Sequence, residues 1–182
     1  IYASISLNGK YKEILTFLKG LLVFELHVEK KEDYWDVEAL LDLCFTPGRF
    51  ALSSYRLREG HLPISELCLT AKSEEKFLIG AIRYWPAKIE KHRVLFLGPI
   101  AVHPTYQGEG LGAALIRTSI KRARELNWPR VLMVGDEVYY RRFGFRKIDG
   151  IIFPPPTNPD RILGLELEEL AWEGVLGKVF PF

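Results

Sequence analysis

The run Gln107-Gly108-Glu109-Gly110-Leu111-Gly112 sets glycines at alternate positions between an apolar stretch and an amphipathic one. Side-chain packing cannot explain that spacing. Glycine admits positive φ and lets the main chain come close to another molecule. A turn of this kind opening a helix leaves several N–H groups without an internal partner. Together with the positive end of the helix dipole they make an anion site. Hydrogen bonds to a charged acceptor contribute about 1.5–3 kcal/mol each, against about 0.3–2 kcal/mol for the dipole. The shape of the loop therefore matters more than any basic side chain near it.

The pattern narrows the anion. A nucleotide P-loop needs G-x-x-x-x-G-K-[ST], which does not occur. A dinucleotide fingerprint, G-x-G-x-x-A, is met by Gly108, Gly110 and Ala113. That reading wants the first glycine directly after a strand and an acid about 20 residues on. Here His103 to Gln107 intervene, and Glu125 and Asp136 miss the spacing. A nicotinamide-dependent oxidoreductase stays open as a poorly fitting alternative.

Gln107-x-x-Gly110-x-Gly112, preceded by Ile100-Ala101-Val102-x-Pro104, resembles the acetyl-CoA loop of the GNAT N-acetyltransferase superfamily. The run Tyr139-Tyr140-Arg141-Arg142-Phe143-Gly144-Phe145 resembles its second signature, a tyrosine four residues before the glycine of a Gly-Phe pair. The phrases LGPIAVHP, VGDEVYYRRFGF and CFTPGRF look most like the YhbS-like branch. The resemblance runs from about Leu22 to about Glu169. It implies acetyl-CoA as co-substrate, no metal, and direct transfer of acetyl to a small-molecule or peptide amine in a ternary complex. It implies cofactor contacts from Ile100, Ala101, Val102, Gln107, Gly108, Glu109, Gly110, Leu111, Gly112, Ala113, Asp136 and Tyr139. Tyr140 falls at the position of the acid that protonates the leaving thiolate. Phe50, Tyr55 and Arg56 fall in the helices that flank the acceptor. Many members carry a carboxylate base on the central strands; here Glu66 is the nearest strand acid. A CoA-binding module without catalysis is the second reading, since Val94 to Val102 carries no carboxylate.

The rest of the chain has to position these groups. Its 182 residues suit one domain, and 48% apolar with 26% charged residues is a globular composition. A net charge of +2 gives no reason to expect nucleic acid. No apolar run reaches membrane-spanning length. Cys44 and Cys68 form no framework, and neither they nor His27, His61 and His92 have metal spacing. The expectation is a cytoplasmic protein with reduced thiols; a homodimer is left open.

Residues 1–20 match nothing in the family and are set apart as an extension of unknown role, with a short helix over Tyr11 to Leu18. Residues 21–182 are read as one domain. Leu22 to Glu29 is the first strand. Asp36 opens a helix carrying Val37, Leu40, Leu41, Leu43 and Cys44, ended by Thr46-Pro47-Gly48. A second helix is expected over Arg49 to Arg58. Ser65–Ala71, Phe77–Trp85 and Val94–Val102 read as antiparallel strands. Gly98-Pro99 marks a bulge in the last of these; in the family this strand parts from the next and pairs with the pantetheine arm. Gly110 to Leu126 is a long helix whose stripe is Leu115, Ile116, Ser119, Ile120, Ala123 and Leu126, with Arg117, Lys121, Arg122 and Arg124 on a solvated face. Arg130 to Val134 is a buried parallel strand. Asp136 caps a short helix through Tyr140. Arg146–Phe153 and Arg161–Glu168 complete the strands. The fold class is α/β (α+β): one mixed sheet of about seven strands flanked by about four helices, splayed between its central parallel strands.

Overall fold

The computed structural model describes residues 2–4, 15–17 and 24–182, the first two segments by backbone only. Tyr2–Ser4 (β1) and Leu15–Phe17 (β2) pair as an antiparallel ribbon. This replaces the helix expected over Tyr11 to Leu18 at its described positions; the other positions of that helix lie outside the described residues.

The main sheet is built from Phe24–Val28 (β3), Leu69–Ser73 (β4), Leu78–Ile89 (β5), His92–Val102 (β6), Arg130–Val134 (β7), Arg146–Lys147 (β8), Ile151–Ile152 (β9), Ile162–Glu166 (β10) and Gly177–Pro181 (β11). Its order is β3-β4-β5-β6-β7-β10-β8, with β11 joined to β5 and β9. Among the described residues it has nine strands, more than the sequence indicated. Two short strands replace the one expected over Arg146 to Phe153, because β8 pairs with β10 and β9 with β11. The chain's last residues supply β11.

Alternation along the central strands divides the interior. Leu95 and Leu97 of β6 and Val131 and Met133 of β7 face Leu111–Glu125 (α3), along with Leu115, Ile116 and Ile120. The residues between them, Val94, Phe96 and Leu132, pack with Ile151, Phe153, Val175 and Val179 on the other side. Period-2 side chains between two covering layers are what a sheet buried on both faces requires. Tyr34–Phe45 (α1) covers part of that second side, with Val37, Leu40 and Leu41 packed against Ala81 and Ala101. Leu43, an apolar position of its helix, is 55% exposed, and Leu126, expected in the buried stripe of α3, is 42% exposed.

The helix expected over Arg49 to Arg58 is broken. A 3-10 turn over Pro47–Ala51 is followed by extended Leu52 and a single turn, Ser53–Arg56 (α2). Glu66 lies on a 3-10 turn, Ser65–Leu67, ahead of β4 and not on a strand.

The feature that matters for function lies between β6 and β7. They run parallel but pair only at Leu95↔Val131 and Phe96↔Leu132. Beyond Phe96 they part, and the register of β6 against β5 shifts between Ile82 and Tyr84, opposite Gly98-Pro99. The extra residue of a bulge bends its strand and increases its twist. Gly98 takes φ +125, a conformation open to glycine.

Candidate active site

The splay opens a groove of about 1050 Å³ over the start of α3. Gly108 and Gly110 sit at φ +85 and +84. Gly110 is the N-cap of α3, and the first amide to bond back onto that cap is Ala114 N, 3.0 Å from Gly110 O. Among the described residues the amides of Leu111, Gly112 and Ala113 find no acceptor, as the first turn of a helix dictates. They face the groove together with Gly108 and Glu109. Gln107 holds the loop to the sheet by donating from Nε2 to Val102 O at 3.0 Å.

The parted edge of β6 forms the opposite wall. His103 N donates to Ile79 O, and the same register pairs Ala101 with Ala81. In an antiparallel ladder the intervening residues, Ile100 and Val102, then direct their N–H groups away from β5 and into the opening. Their side chains line the groove as well. Ala101, read as a cofactor contact, does not line the groove: its main chain pairs with β5 and its side chain is buried under α1. Asp136, read in the same way, does not line it either. Its carboxylate accepts from Val138 N at 3.0 Å, capping Glu137–Tyr140 (α4).

Tyr139 and Tyr140 both reach the groove. The hydroxyl of Tyr139 stands 3.5 Å from where a side-chain carbon on Gly112 would be. Tyr140 packs edge-on against Phe145 at 5.9 Å, and its burial, with Tyr139 alongside, pushes its hydroxyl up to about 12. Arg117 and Arg142 flank the groove. The guanidinium of Arg142 lies 4.0 Å over the Tyr139 ring, and that of Arg117 lies 5.4 Å over Phe143. Both were missed in sequence. Arg117 was legible only as an exposed helix position, and Arg142 only as a neighbour of the tyrosines.

A second cavity, of about 790 Å³, lies on the other side of the bulge. Phe50, Tyr55 and Arg56 line it. Glu66 lines neither cavity; its neighbour Ser65 does, and the Glu66 side chain is exposed and accepts from the Ser65 hydroxyl at 2.9 Å. The carboxylates on this wall are Glu29, Glu38 and Glu59; Glu59 is exposed, and Glu29 and Glu38 are held by arginines. Arg83 donates to Glu29 from Nε at 2.8 Å and from Nη2 at 2.6 Å, and to Glu38 from Nη1 at 2.6 Å. Arg49 donates to Glu38, Asp42 and the Tyr55 hydroxyl at 2.6, 2.9 and 2.6 Å. Burial alone would raise the Glu38 carboxyl, but hydrogen bonds from Arg49 and Arg83 hold it below the usual range. It is a weak base.

Arg58 is different. Its guanidinium lies over Tyr55 at 4.6 Å and over Trp85 and Phe96 at 5.1 Å each. Nε and Nη1 are shut off from solvent and have no hydrogen-bond partner among the described residues. Burial pulls its pKa down to about 10, with Tyr55 opposing the shift and the nearby charges of Arg49 and Arg83 adding to it, so it is still protonated at neutral pH. Three cation–π contacts at about 0.5–2 kcal/mol each are of the same order as the several kcal/mol it costs to take an ion out of water, but among the described residues they leave Nε and Nη1 without an acceptor.

The two cavities meet on β6. Pro99 lines one and Ile100 lines the other. Among the described residues no cluster of side chains has the makings of a metal site, and no helix is long and apolar enough to cross a membrane.

Comparison with known proteins gives this arrangement a setting. The profile of the acetyltransferase (GNAT) family matches residues 34–145. The chain is 31% identical to the uncharacterized N-acetyltransferase YjhQ of Escherichia coli strain K12 over 131 residues, 70% of this chain and 72% of YjhQ. It is 30% identical to the uncharacterized N-acetyltransferase YhbS of the same strain over 123 residues, 66% of this chain and 72% of YhbS. The crystal structure of Escherichia coli YhbS in complex with CoA superposes with a TM-score of 0.76 at 26% identity, covering 91% of this chain and 93% of that one.

Proposed function

This chain belongs to the acetyltransferase (GNAT) family and is an acyltransferase; from that premise we propose that it transfers acetyl from acetyl-CoA to a primary amine by direct attack while both are bound. The observation that carries this reading is the junction at Pro99 and Ile100, where a groove suited to a phosphate-bearing thioester opens onto a separate cavity suited to the acceptor. The groove fits acetyl-CoA on three counts. The unpaired amides of Leu111, Gly112 and Ala113 would receive the pyrophosphate. Arg117 and Arg142 add positive charge at its rim. The free edge of β6 offers the Ile100 main chain and the Val102 N–H to an amide-bearing arm, the Val102 carbonyl being taken by Gln107.

When bound, acetyl-CoA supplies an activated acetyl group whose C–S bond breaks as the C–N bond to the amine forms. The chain's own residues do the rest. The Ile100 N–H donates to the oxygen on which negative charge grows, a preorganised contact that strengthens toward the transition state. Tyr140 holds the proton destined for the departing sulfur. With its hydroxyl near 12 and a thiol near 8.5, complete transfer in a separate step would be uphill by about 5 kcal/mol. The proton therefore moves as the bond breaks. The amine gives its proton to water in the acceptor cavity, since Glu29 and Glu38 are tied up by arginines and Glu59 lies exposed at the surface. Unpaired cysteines agree with work in a reducing compartment, the cytoplasm.

Calorimetric titration with acetyl-CoA, followed by detection of free thiol across a panel of amines, tests the reading. Tight binding with amine-dependent thiol release is expected. Binding without release for any amine would make the chain a binding module, and absence of binding would remove the assignment of the groove.

A further inference from the structure

The acceptor cavity has a charge pattern that the transfer reaction does not call for. Its cationic lining side chains are Lys30, Lys31, Arg49, Arg56, Arg58 and Arg83. Its carboxylates are Glu29, Glu38 and Glu59. With His61 neutral the wall carries +3, more than the +2 of the whole chain. An amine arrives as an ammonium ion, and a wall of this sign repels it unless the same molecule brings negative charge.

The excess is not spread evenly. Arg49 and Arg83 are saturated by Glu29, Glu38, Asp42 and Tyr55. Arg58 has aromatic rings on its faces and two buried N–H groups with no acceptor. Its Nη2 lies against Gly98, 3.1 Å from where a side-chain carbon would be, so a larger residue at Gly98 would displace the guanidinium. Gly98 is one residue from Pro99, which lines the cavity, and two from Ile100, which lines the groove. Two strand residues span roughly 7 Å. An anion at Arg58 and an amine facing Ile100 are thus within reach of one short skeleton.

Resting on the acetyl-transfer reading above, we infer that the acceptor is a small primary amine bearing an anionic group, carboxylate or phosphate, which the guanidinium of Arg58 binds at the inner end of the cavity. Guanidinium favours both anions, because its planar N–H donors match their oxygens. Arg58 selects the substrate and takes no part in proton movement. A lysine-rich peptide is the acceptor least suited to this wall.

Matched amines test the inference in the unaltered protein: tyrosine against tyramine, lysine against cadaverine, phosphoethanolamine against ethanolamine. In at least one pair the anionic member is expected to show kcat/KM tenfold or more above its partner, mainly through KM. The carboxylate and phosphate pairs show which anion is preferred. Arg58→Met is expected to erase that preference by raising KM for the anionic member, while acetyl-CoA affinity stays within about twofold, the usual range for a change away from a contact. Arg58→Lys, which keeps the charge without the planar fork, is expected to fall between. Calorimetric titration of the same pairs into CoA-loaded protein reads the preference without turnover and does not depend on any variant folding. Equal KM and equal binding within every pair, or a preference undiminished in Arg58→Met, would overturn the role of Arg58 and leave acetyl transfer standing. A protein that fails to bind acetyl-CoA would instead strike the reading on which the inference rests.

Discussion

The groove and the cavity share one strand and are built from opposite materials. The groove is made by main chain: amides at the start of α3, the unpaired edge of β6, and glycines that allow both. The cavity is made by side chains: arginines and carboxylates brought from β3, α1, the turn at Arg49 and β5 into one network. On the proposed reading, main-chain donors take a group common to every turnover, the phosphates, and depend on backbone shape. Side-chain networks can be rewired one residue at a time, which suits the part of the site that selects the acceptor. Damage to the first should appear as lost cofactor affinity. Damage to the second should appear as lost stability and altered acceptor choice.

The largest effect is expected at Glu38, whose carboxylate bridges Arg49 and Arg83. Glu38→Ala leaves two buried cations short of a partner and should cost about 3–5 kcal/mol, read by urea denaturation, with acetyl-CoA affinity of the folded protein preserved. The same bridge sets a pH dependence. Its carboxyl is held below the unfolded value of about 4.3, so its contribution is complete above that value and is lost as pH falls through the lower folded one. The wild-type protein should lose stability below about pH 4, and Glu38→Ala should lose less over the same interval.

Gly110→Val comes next, from the other side of the comparison. Space is not the obstacle, since no atom lies within 4 Å of the added carbon; the obstacle is φ +84, which a β-branched residue resists. Loss of one or two charge-assisted hydrogen bonds predicts roughly 100-fold weaker acetyl-CoA binding by calorimetry, with the melting temperature little changed. A stable protein that bound acetyl-CoA as tightly as before would erase the distinction drawn between the two regions. Tyr140→Phe should lower kcat by about 10- to 100-fold, the lower part of the range for removing a general acid, while leaving acetyl-CoA affinity alone. Full turnover would return Tyr140 to a packing role. The smallest effect is expected at Glu66. Glu66→Gln should change kcat/KM by less than about twofold, as surface positions do, because its side chain lines neither cavity.

These regions were also unequally legible in the sequence. The glycine loop, the helix it opens, the bulge at Gly98-Pro99 and the cap at Asp136 each depend on residues adjacent in the chain, and the structure has all of them. Phe50, Tyr55 and Arg56 line the second cavity together. The reading of a continuous helix over Arg49 to Arg58 failed because the 3-10 turn at Pro47–Ala51 gives way to extended Leu52. Glu66 drew notice as the nearest strand acid, yet its turn leaves it exposed. Glu29, Glu38, Arg49 and Arg83 drew none, since no local spacing links positions up to 54 residues apart.

The sequence by itself determined the shape of the glycine loop and the order of strands and helix around it, because backbone dihedrals and alternating burial are set by neighbouring residues. Only the tertiary structure decided which charges meet. Charge-assisted hydrogen bonds act at about 2.7–2.9 Å, and the fold brings Arg83 to Glu29 and Glu38 within that reach while leaving Arg58 without a carboxylate.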